Sequence, residues 1–182
     1  MSPTDTDVAT LLREATAHGR WQLDPAGSRA DFHVKHFWGA ITVHGWFERL
    51  DGEGEVTAEG GVTGRLTIDA ASLQTKNGQR DRHLRSNDFF DVERHPQVTV
   101  DVTDARPAGE GTLVVHGTLE AAGQRLPIEL PLHVEDATPD AATLRGEVTV
   151  DRTRLGMTWS PLGMASKEAR LSASLRFVRA AA

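Results

Sequence analysis

The feature that most constrains this chain is the alternation of apolar and polar residues along most of its length. Val98, Val100 and Val102 alternate with polar residues, and every second residue from Leu126 to Val134 is apolar. A period of two is typical of a β-strand with one buried face. Strands are predicted at 28–36, 40–50, 62–69, 97–104, 111–120, 124–135, 143–151 and 170–178, with 55–59 as a weaker ninth. The pattern predicts an all-β antiparallel sheet closed around an apolar interior.

Composition narrows the function classes. A chain of 182 residues with 38% hydrophobic residues fits one domain of ordinary size. Its net charge of −6 argues against a nucleic-acid partner, which would require a basic stripe. The chain has no cysteine, which excludes thiol chemistry, and no apolar run approaches the roughly 18 residues of a membrane span. We therefore expect no stable membrane insertion, and a cytoplasmic location because no signal peptide is evident.

The N-terminal segment is predicted to be a helix over residues 4–18. Val8, Leu11, Leu12 and Ala15 recur at helical spacing, with Thr4 as a candidate cap and Gly19 as a stop. The alternative is a frayed tail. This segment divides the chain into an N-terminal helical extension, 1–19, and a barrel domain, 20–182.

One region breaks the period of two. Residues 70–94 are an excursion that is long for a hairpin connection, and 77–85 within it are predicted to form a short helix. Such an excursion is a lid, a plug or a functional loop. Phe89 and Phe90 are expected to pack beneath this helix, with covering of the barrel mouth as the alternative.

Arg80, Asp81 and His83 in the excursion could indicate acid–base chemistry, but their spacing alone is weak support. We favour a structural Arg–Asp pair that anchors the excursion against the sheet. The segments around Asp151–Arg152 and Gly156–Met157 are similarly interpreted as closing the end of a strand.

The predicted inner face is almost entirely apolar, and His36 is its one polar side chain. His36 is interpreted as a histidine hydrogen-bonded at the barrel rim or as a contact to a polar ligand head. His33 and His44 fall on outward faces, and no histidine spacing resembles a metal site. An apolar ligand could occupy such an interior because burial of hydrocarbon is favourable without directional partners.

Four inner positions are glycine: Gly45, Gly64, Gly117 and Gly146. They mark either sharp bends that close a small barrel or empty space for a ligand close to the backbone. On the second interpretation, a large apolar residue at Gly117 or Gly146 would weaken lipid binding more than folding.

Several blocks of the sequence also resemble a known family. The first block comprises Trp21, Asp24, Ser28, Phe32, Val34, His36, Gly45 and Phe47. The central block comprises Ala71, Ser72, Leu73, Thr75, Asn77, Arg80, Asp81, His83, Leu84, Ser86, Asp88, Phe89, Phe90, Asp91, His95 and Pro96. The later blocks comprise Gly117, Leu119, Asp151, Arg152, Gly156 and Met157. These residues resemble the YceI-like family of polyisoprenoid-binding proteins.

The resemblance runs from Trp21 to near the C-terminus and implies a lipocalin-like extended antiparallel β-barrel that encloses a long isoprenoid chain. Several family members are exported or periplasmic. This chain departs from them in having no evident signal and in carrying the N-terminal helical extension.

The favoured function is binding of a long apolar isoprenoid-type lipid, a polyprenyl chain or an isoprenoid quinone, inside the barrel for transport, storage or sequestration. The expected ligand-binding residues are Phe32, Val34, His36, Val43, Phe47, Leu66, Val100, Val115, Gly117, Leu130, Gly146 and Val148. No catalytic residue, metal or cofactor other than a bound isoprenoid lipid is expected, and a homodimer is compatible with the sequence. The alternatives are an enzyme that uses His36 as acid or base on an apolar substrate and a filled barrel that binds a protein partner.

Overall fold

The computed structural model describes residues 7–14 and 17–181, and strands dominate this part of the chain. The strands are β1 (Gly19–Leu23), β2 (Arg29–His36), β3 (Ile41–Phe47), β4 (Leu50–Val56), β5 (Val62–Asp69), β6 (Leu73–Gln74), β7 (Gln97–Pro107), β8 (Thr112–Ala121), β9 (Gln124–Ala137), β10 (Ala141–Asp151) and β11 (Glu168–Arg179). The α-helices are α1 (Val8–Arg13) and α2 (Gly78–Arg85).

Eight strands form a closed antiparallel barrel. Their order is β1–β4–β5–β7–β8–β9–β10–β11, and pairing of β11 with β1 closes the ring. β2 continues along the same edge of β11, because Ala169–Ser174 pair with β2 whereas Phe177–Arg179 pair with β1. β3 pairs with β2, and the short β6 pairs with β3. The predicted all-β, lipocalin-like barrel is therefore confirmed.

The strand prediction failed between residues 40 and 59, and it also missed the short β6 inside the excursion. The segment 40–50 was expected to be one strand, but the chain forms β3 and then β4, and β4 ends at Val56, before most of the ninth candidate at 55–59. The inward positions of β4 between Leu50 and Val56 are Gly52 and Gly54, so no apolar alternation marks this strand. A Cβ at Gly52 would lie 3.1 Å from the Arg65 carbonyl oxygen, so the neighbouring strand leaves little room for a side chain at this position.

The connections divide between two ends of the barrel, which we name by their charge. The basic end carries the β2–β3 turn, the excursion with α2, and the 152–167 connection between β10 and β11. The acidic end carries the β4–β5, β7–β8 and β9–β10 turns, and α1 packs there. Residues 35–44, 70–94 and 152–170 hold ten Lys or Arg and five Asp or Glu, whereas residues 51–61, 105–111 and 133–142 hold eight Asp or Glu and one Lys or Arg.

The N-terminal helix is shorter than predicted. It begins after Asp7, whose carboxylate accepts a hydrogen bond from the Ala9 amide at 3.1 Å, and it ends at Arg13. The predicted cap Thr4 and the apolar position Ala15 lie outside the described residues. Gly19 is not the helix stop, because it already begins β1.

Helix α1 is attached to the barrel through a small apolar cluster. Val8 is buried and packs against Ala105, Leu113, Val115 and Leu132 of β7, β8 and β9. A larger apolar cluster occupies the basic end and includes the buried side chains of Phe32, Phe47, Ile68, Leu119 and Leu175. The excursion packs against that second cluster, so both ends of the barrel are partly covered by non-strand segments.

Candidate functional site

The barrel encloses a cavity of about 760 Å³. This volume lies within the roughly 300–1,000 Å³ that is common for small-molecule sites. Inward-facing side chains of the barrel strands line it, and the ionisable residues among the lining lie near the two ends or on outward-facing strand positions. The predicted apolar cavity is thus present in the structure.

Eleven of the twelve expected ligand-binding residues lie on the wall of this cavity. They are Phe32, Val34, His36, Val43, Phe47, Leu66, Val100, Val115, Leu130, Gly146 and Val148. Gly117 is not on the wall. Alternation in the sequence identified these residues correctly as inward-facing, because the pleat of a strand turns every second side chain inward. Their contact with a ligand remains a prediction.

The inner glycines are required by close packing. A Cβ at Gly117 would lie 2.1 Å from the Asp101 carbonyl oxygen, and one at Gly146 would lie 2.1 Å from that of Pro131. At Gly45 the clash would be with the Phe32 ring at 2.1 Å, and at Gly64 with the Glu53 carbonyl oxygen at 2.7 Å. The backbone of the next strand occupies that space, so a large residue at Gly117 or Gly146 should also impair folding, and the expectation that it would affect binding more than folding stays a prediction.

At the acidic end the cavity is lined by side chains that the ligand prediction left out. Val8, Leu11 and Leu12 of α1 all contribute to the wall. Their helical spacing was visible in the sequence, but spacing alone does not say which surface an amphipathic helix covers. Trp21 also lines this end and donates its indole hydrogen to the Ala17 carbonyl oxygen at 2.9 Å. The N-terminal segment is therefore part of the cavity wall.

Aromatic rings surround the cavity at the basic end. Phe90 packs between Phe32 and Phe47, with ring centroids 6.1 and 5.6 Å away. Phe89 contacts His83 and Trp159 at 5.2 and 5.9 Å. Both phenylalanines also line the cavity, so they pack against the core and cover the mouth together.

Ionisable side chains stand at this same mouth. His36 lines the cavity and meets the Phe37 ring edge-on at 4.7 Å. His83 also lines it, donates a hydrogen bond to the Asp88 carboxylate at 2.8 Å, and packs edge-on against Trp159 at 4.4 Å. Arg80 and Arg152 also line the cavity at this mouth. These groups could meet a polar ligand head, while the middle of the barrel could hold only an apolar chain.

The excursion is anchored differently from the predicted Arg–Asp pair. Asp81 is buried, and it accepts a hydrogen bond from the Thr75 hydroxyl at 2.5 Å. Arg80 donates to the same hydroxyl oxygen at 2.9 Å and to the Thr75 carbonyl oxygen at 3.0 Å. The two residues are joined through Thr75, and no direct ion pair between them is found among the described residues. The Arg–Asp pair that was predicted to anchor the excursion is thus joined through Thr75 rather than by direct contact.

Arg152 lines the cavity in a geometry that the sequence did not reveal. It is buried, and its guanidinium donates to the carbonyl oxygens of Ser166 at 2.7 Å, Ala165 at 3.4 Å and Met157. Burial lowers the pKa of this guanidinium. The preceding Asp151 accepts hydrogen bonds from the Thr153 amide and hydroxyl at 2.9 and 2.5 Å. Both residues hold the β10–β11 connection in place, as the strand-closing interpretation predicted.

His33 and His44 lie on the outer face, as predicted, and their rings stack with centroids 4.5 Å apart. His44 is also 2.8 Å from a carboxylate oxygen of Asp31. Burial, together with the charge of His44, lowers the pKa of His33. Burial raises the pKa of Asp31, but hydrogen bonds from Arg29 and His44 outweigh it and hold that pKa below its usual value.

No group of three or more His, Asp or Glu side chains in the described part of the chain is arranged to hold a metal ion. Within those same residues, no helix combines the length and apolar character that crossing a membrane requires.

Comparison with known proteins points to one family. The profile of the YceI-like domain matches residues 21–177. A UPF0312 protein of Ectopseudomonas mendocina is 27% identical over 168 residues, covering 87% of both chains. A UPF0312 protein of Photorhabdus laumondii is 33% identical over 132 residues, covering 69% of this chain and 67% of its own.

Two solved structures share the fold. BcnA of Burkholderia cenocepacia superposes with a TM-score of 0.77 at 20% identity, covering 85% of this chain and 98% of its own. A polyisoprenoid binding domain from Saccharophagus degradans, implicated in plant cell wall breakdown, superposes with a TM-score of 0.72 at 18% identity, covering 88% of this chain and 98% of its own.

Proposed function

The chain belongs to the YceI-like family, and from that premise we propose that it binds a long apolar lipid of the isoprenoid type inside its barrel. The observation that carries the proposal is the cavity of about 760 Å³ with an apolar wall through the middle of the barrel. Removing a hydrocarbon chain from water is favourable by roughly 25 cal/mol per Å² and requires no polar partner on the wall. A polyprenyl chain or the tail of an isoprenoid quinone meets that requirement.

The orientation that we propose places the lipid head at the basic end. The groups at that mouth, His36, His83, Arg80 and Arg152, can donate hydrogen bonds or carry positive charge, whereas the opposite end is lined by α1. A lipid head that reaches the mouth would remain near water while the tail is shielded. Shielding of the tail supports a role in transport, storage or sequestration.

Binding rather than turnover is the function that we propose, because the ionisable groups at the mouth are held by structural contacts. His83 is engaged by Asp88 and Trp159, and Arg152 by main-chain carbonyl oxygens. His36 lies against Phe37 at the rim. We assign none of these groups to a catalytic step, and no cofactor besides the bound lipid is part of the proposal.

The experiment that tests the proposal is organic extraction of the purified protein followed by mass spectrometry of the extract. We expect a long-chain apolar lipid at close to one molecule per chain. Protein that carries no such lipid, and that after extraction fails to bind polyprenyl alcohols or quinones of several chain lengths, would overturn the proposal.

A variant that fills the cavity provides a matched comparison. Ala173 lines the cavity and pairs with Gly146 and Ala30, so small side chains lie across three neighbouring strands. Ala173→Phe should reduce the amount of bound lipid. Thr149→Phe introduces the same ring at an exposed position of β10, so it should leave lipid binding at the parental level.

A further inference from the structure

A group of large apolar side chains is exposed at the basic end of the barrel. Trp38 and Leu162 are 73% and 85% exposed, and Phe37, Ile41 and Trp159 are also exposed. We call these five residues the apolar tip. The Trp38 amide donates to the Met164 carbonyl oxygen at 3.2 Å, which joins the β2–β3 turn to the loop that carries Leu162. Exposed apolar side chains that lie together mark an interaction surface.

The backbone presents three of these side chains in an unfavourable conformation. Phe37, Trp38 and Leu162 have φ values of +50°, +52° and +53°. Bulky residues rarely adopt this left-handed region, which favours Gly, Asn and Asp. Such strain, at residues whose side chains remain exposed in the folded protein, indicates that outward presentation of those side chains serves a function.

The apolar tip is continuous with the rim of the cavity. Phe37, Ile41 and Trp159 line the cavity and are also exposed to solvent. An apolar molecule at the tip would therefore be adjacent to the cavity wall. This continuity links the tip to the lipid that the proposed function places inside the barrel.

The two ends of the molecule differ in charge, and this difference indicates which kind of partner would dock at the tip. Residues 35–44, 70–94 and 152–170 at the tip end hold ten Lys or Arg and five Asp or Glu. Residues 51–61, 105–111 and 133–142 at the opposite end hold eight Asp or Glu and one Lys or Arg. An anionic surface would attract the tip end and repel the other end. A second copy of the chain, docked tip to tip, would instead bring two basic ends together.

We propose that the apolar tip docks this protein onto an anionic lipid bilayer, with Trp38 and Leu162 entering the interface and Lys35 and Lys167 facing the lipid phosphates. Tryptophan favours the bilayer interface, and nearby basic residues add attraction to anionic lipids. The orientation brings the cavity mouth against the bilayer, so a lipid could pass between the two. The docking surface does not depend on the proposed function, whereas its use for lipid exchange rests on that function.

The test is binding of the full chain to vesicles of phosphatidylcholine with and without phosphatidylglycerol. We expect binding to the anionic vesicles, a blue shift of tryptophan emission on binding, and weaker binding at high ionic strength. Trp38→Asn with Leu162→Asn should reduce partition onto the vesicles by about tenfold or more, because it removes both apolar anchors. Asn tolerates the left-handed backbone, so this double variant should keep the parental melting temperature.

Matched charge variants test the orientation. Lys35→Gln with Lys167→Gln should weaken binding to the anionic vesicles, whereas Glu53→Gln with Glu55→Gln at the acidic end should not weaken it.

Three outcomes would each overturn the docking proposal: absence of vesicle binding by the parent chain, equal binding by the Asn double variant, or a tip-dependent dimer in place of vesicle binding. Lipid content, measured by extraction, distinguishes the two proposals: lipid-loaded protein that ignores vesicles overturns docking alone, and empty protein that binds vesicles overturns the proposed function alone.

The route of lipid entry can be tested at the opposite end, because the chain has no cysteine of its own. A Cβ at Gly60 would lie 3.8 Å from the Cβ of Leu12, which is close to the mean Cβ–Cβ distance of a disulfide. Leu12→Cys with Gly60→Cys should therefore lock α1 to the β4–β5 turn when oxidised, with the cysteine at position 60 strained by the backbone φ of +84° in both redox forms. We expect the oxidised and reduced forms to take up a fluorescent polyprenyl probe from vesicles at the same rate. Markedly slower uptake by the oxidised form would overturn entry at the tip.

Discussion

At the scale of single residues, Asp81 shows how a polar segment is held against an apolar barrel. Its carboxylate is buried and shares the Thr75 hydroxyl with Arg80. A buried hydrogen-bonded group costs little while its partners are present and much when one is removed. The excursion therefore depends on this side chain for its position.

Asp81→Ala should lower the free energy of unfolding by about 1–3 kcal/mol, because the Thr75 hydroxyl loses its buried acceptor. Thermal melting measures the change. Asp88→Ala is the control, since that side chain is about half exposed and its contact with His83 should contribute less than about 1 kcal/mol. An Asp81 variant with the parental melting temperature and no bound lipid would instead assign Asp81 to the binding function.

The lowered pKa of His33 predicts that the stability of the protein depends on pH. The pKa of this side chain is lowered in the folded protein, so the unfolded chain takes up a proton near the ordinary value of about 6.5 before the folded chain does. Stability should then fall as the pH falls below that value toward the folded pKa. We expect the melting temperature of His33→Gln to decline less between about pH 7 and pH 5 than that of the parent.

Asp101→Asn serves as the comparison for this measurement. The hydrogen bond from Arg65 lowers the pKa of Asp101 from an ordinary value of 3.8, so its titration lies below the pH range tested for His33. This variant should lower the melting temperature at every pH without changing the slope. Identical slopes for the parent and His33→Gln would contradict the assignment to His33.

At the scale of elements, the pairing of neighbouring strands determines which inward positions have room for a side chain. Gly146 lies opposite Leu132 in the β9–β10 pair and opposite Ala173 in the β10–β11 pair. Its missing Cβ would meet the Pro131 carbonyl oxygen at 2.1 Å, and main chain cannot move aside as a flexible side chain can. The absence of a side chain at Gly146 is therefore required by the packing of the strands.

Gly146→Val should destabilise the protein by about 1–3 kcal/mol or more, because the strands must separate to admit the side chain. Urea unfolding is the measurement. Gly78→Ala is the control, since Gly78 begins α2 with its nearest contact 3.8 Å away and alanine favours the helix. Unchanged stability of Gly146→Val, accompanied by loss of lipid, would restore the interpretation of this glycine as space for the ligand.

At the scale of the whole molecule, the barrel combines an apolar interior with opposite net charges at its two ends. The cavity runs from α1 at the acidic end to the aromatic mouth at the basic end. A ligand that binds only the folded state stabilises it by mass action. Lipid content and stability should therefore be coupled.

Extraction of the bound lipid should lower the melting temperature, and re-addition of a polyprenyl lipid should restore it. At a free lipid concentration about 100 times Kd, the expected stabilisation is about 2.7 kcal/mol. Calorimetry before extraction, after extraction and after reloading measures both changes. A short-chain alcohol is the control and should give little stabilisation. Equal melting temperatures in all three states would count against a lipid in the barrel.

The sequence by itself determined the strands and the faces that they bury. Val62–Asp69 was predicted with its observed bounds, and eleven of the twelve expected binding residues lie on the cavity wall. The physical reason is local: a strand alternates its side chains wherever it pairs, so the inner face can be read from one strand at a time. β4 escaped prediction because its inward positions are glycine and provide no such signal.

Only the tertiary structure decided what lies against each strand and each end. The closeness of Pro131 to Gly146, the joining of Arg80 to Asp81 through Thr75, and the placement of α1 over the acidic end all depend on pairing between distant segments. The apolar tip belongs to the same class, since residues 37–41 and 159–162 become neighbours only when β2 pairs with β11. Alternation specifies which way a side chain points, whereas closure of the barrel specifies what it meets.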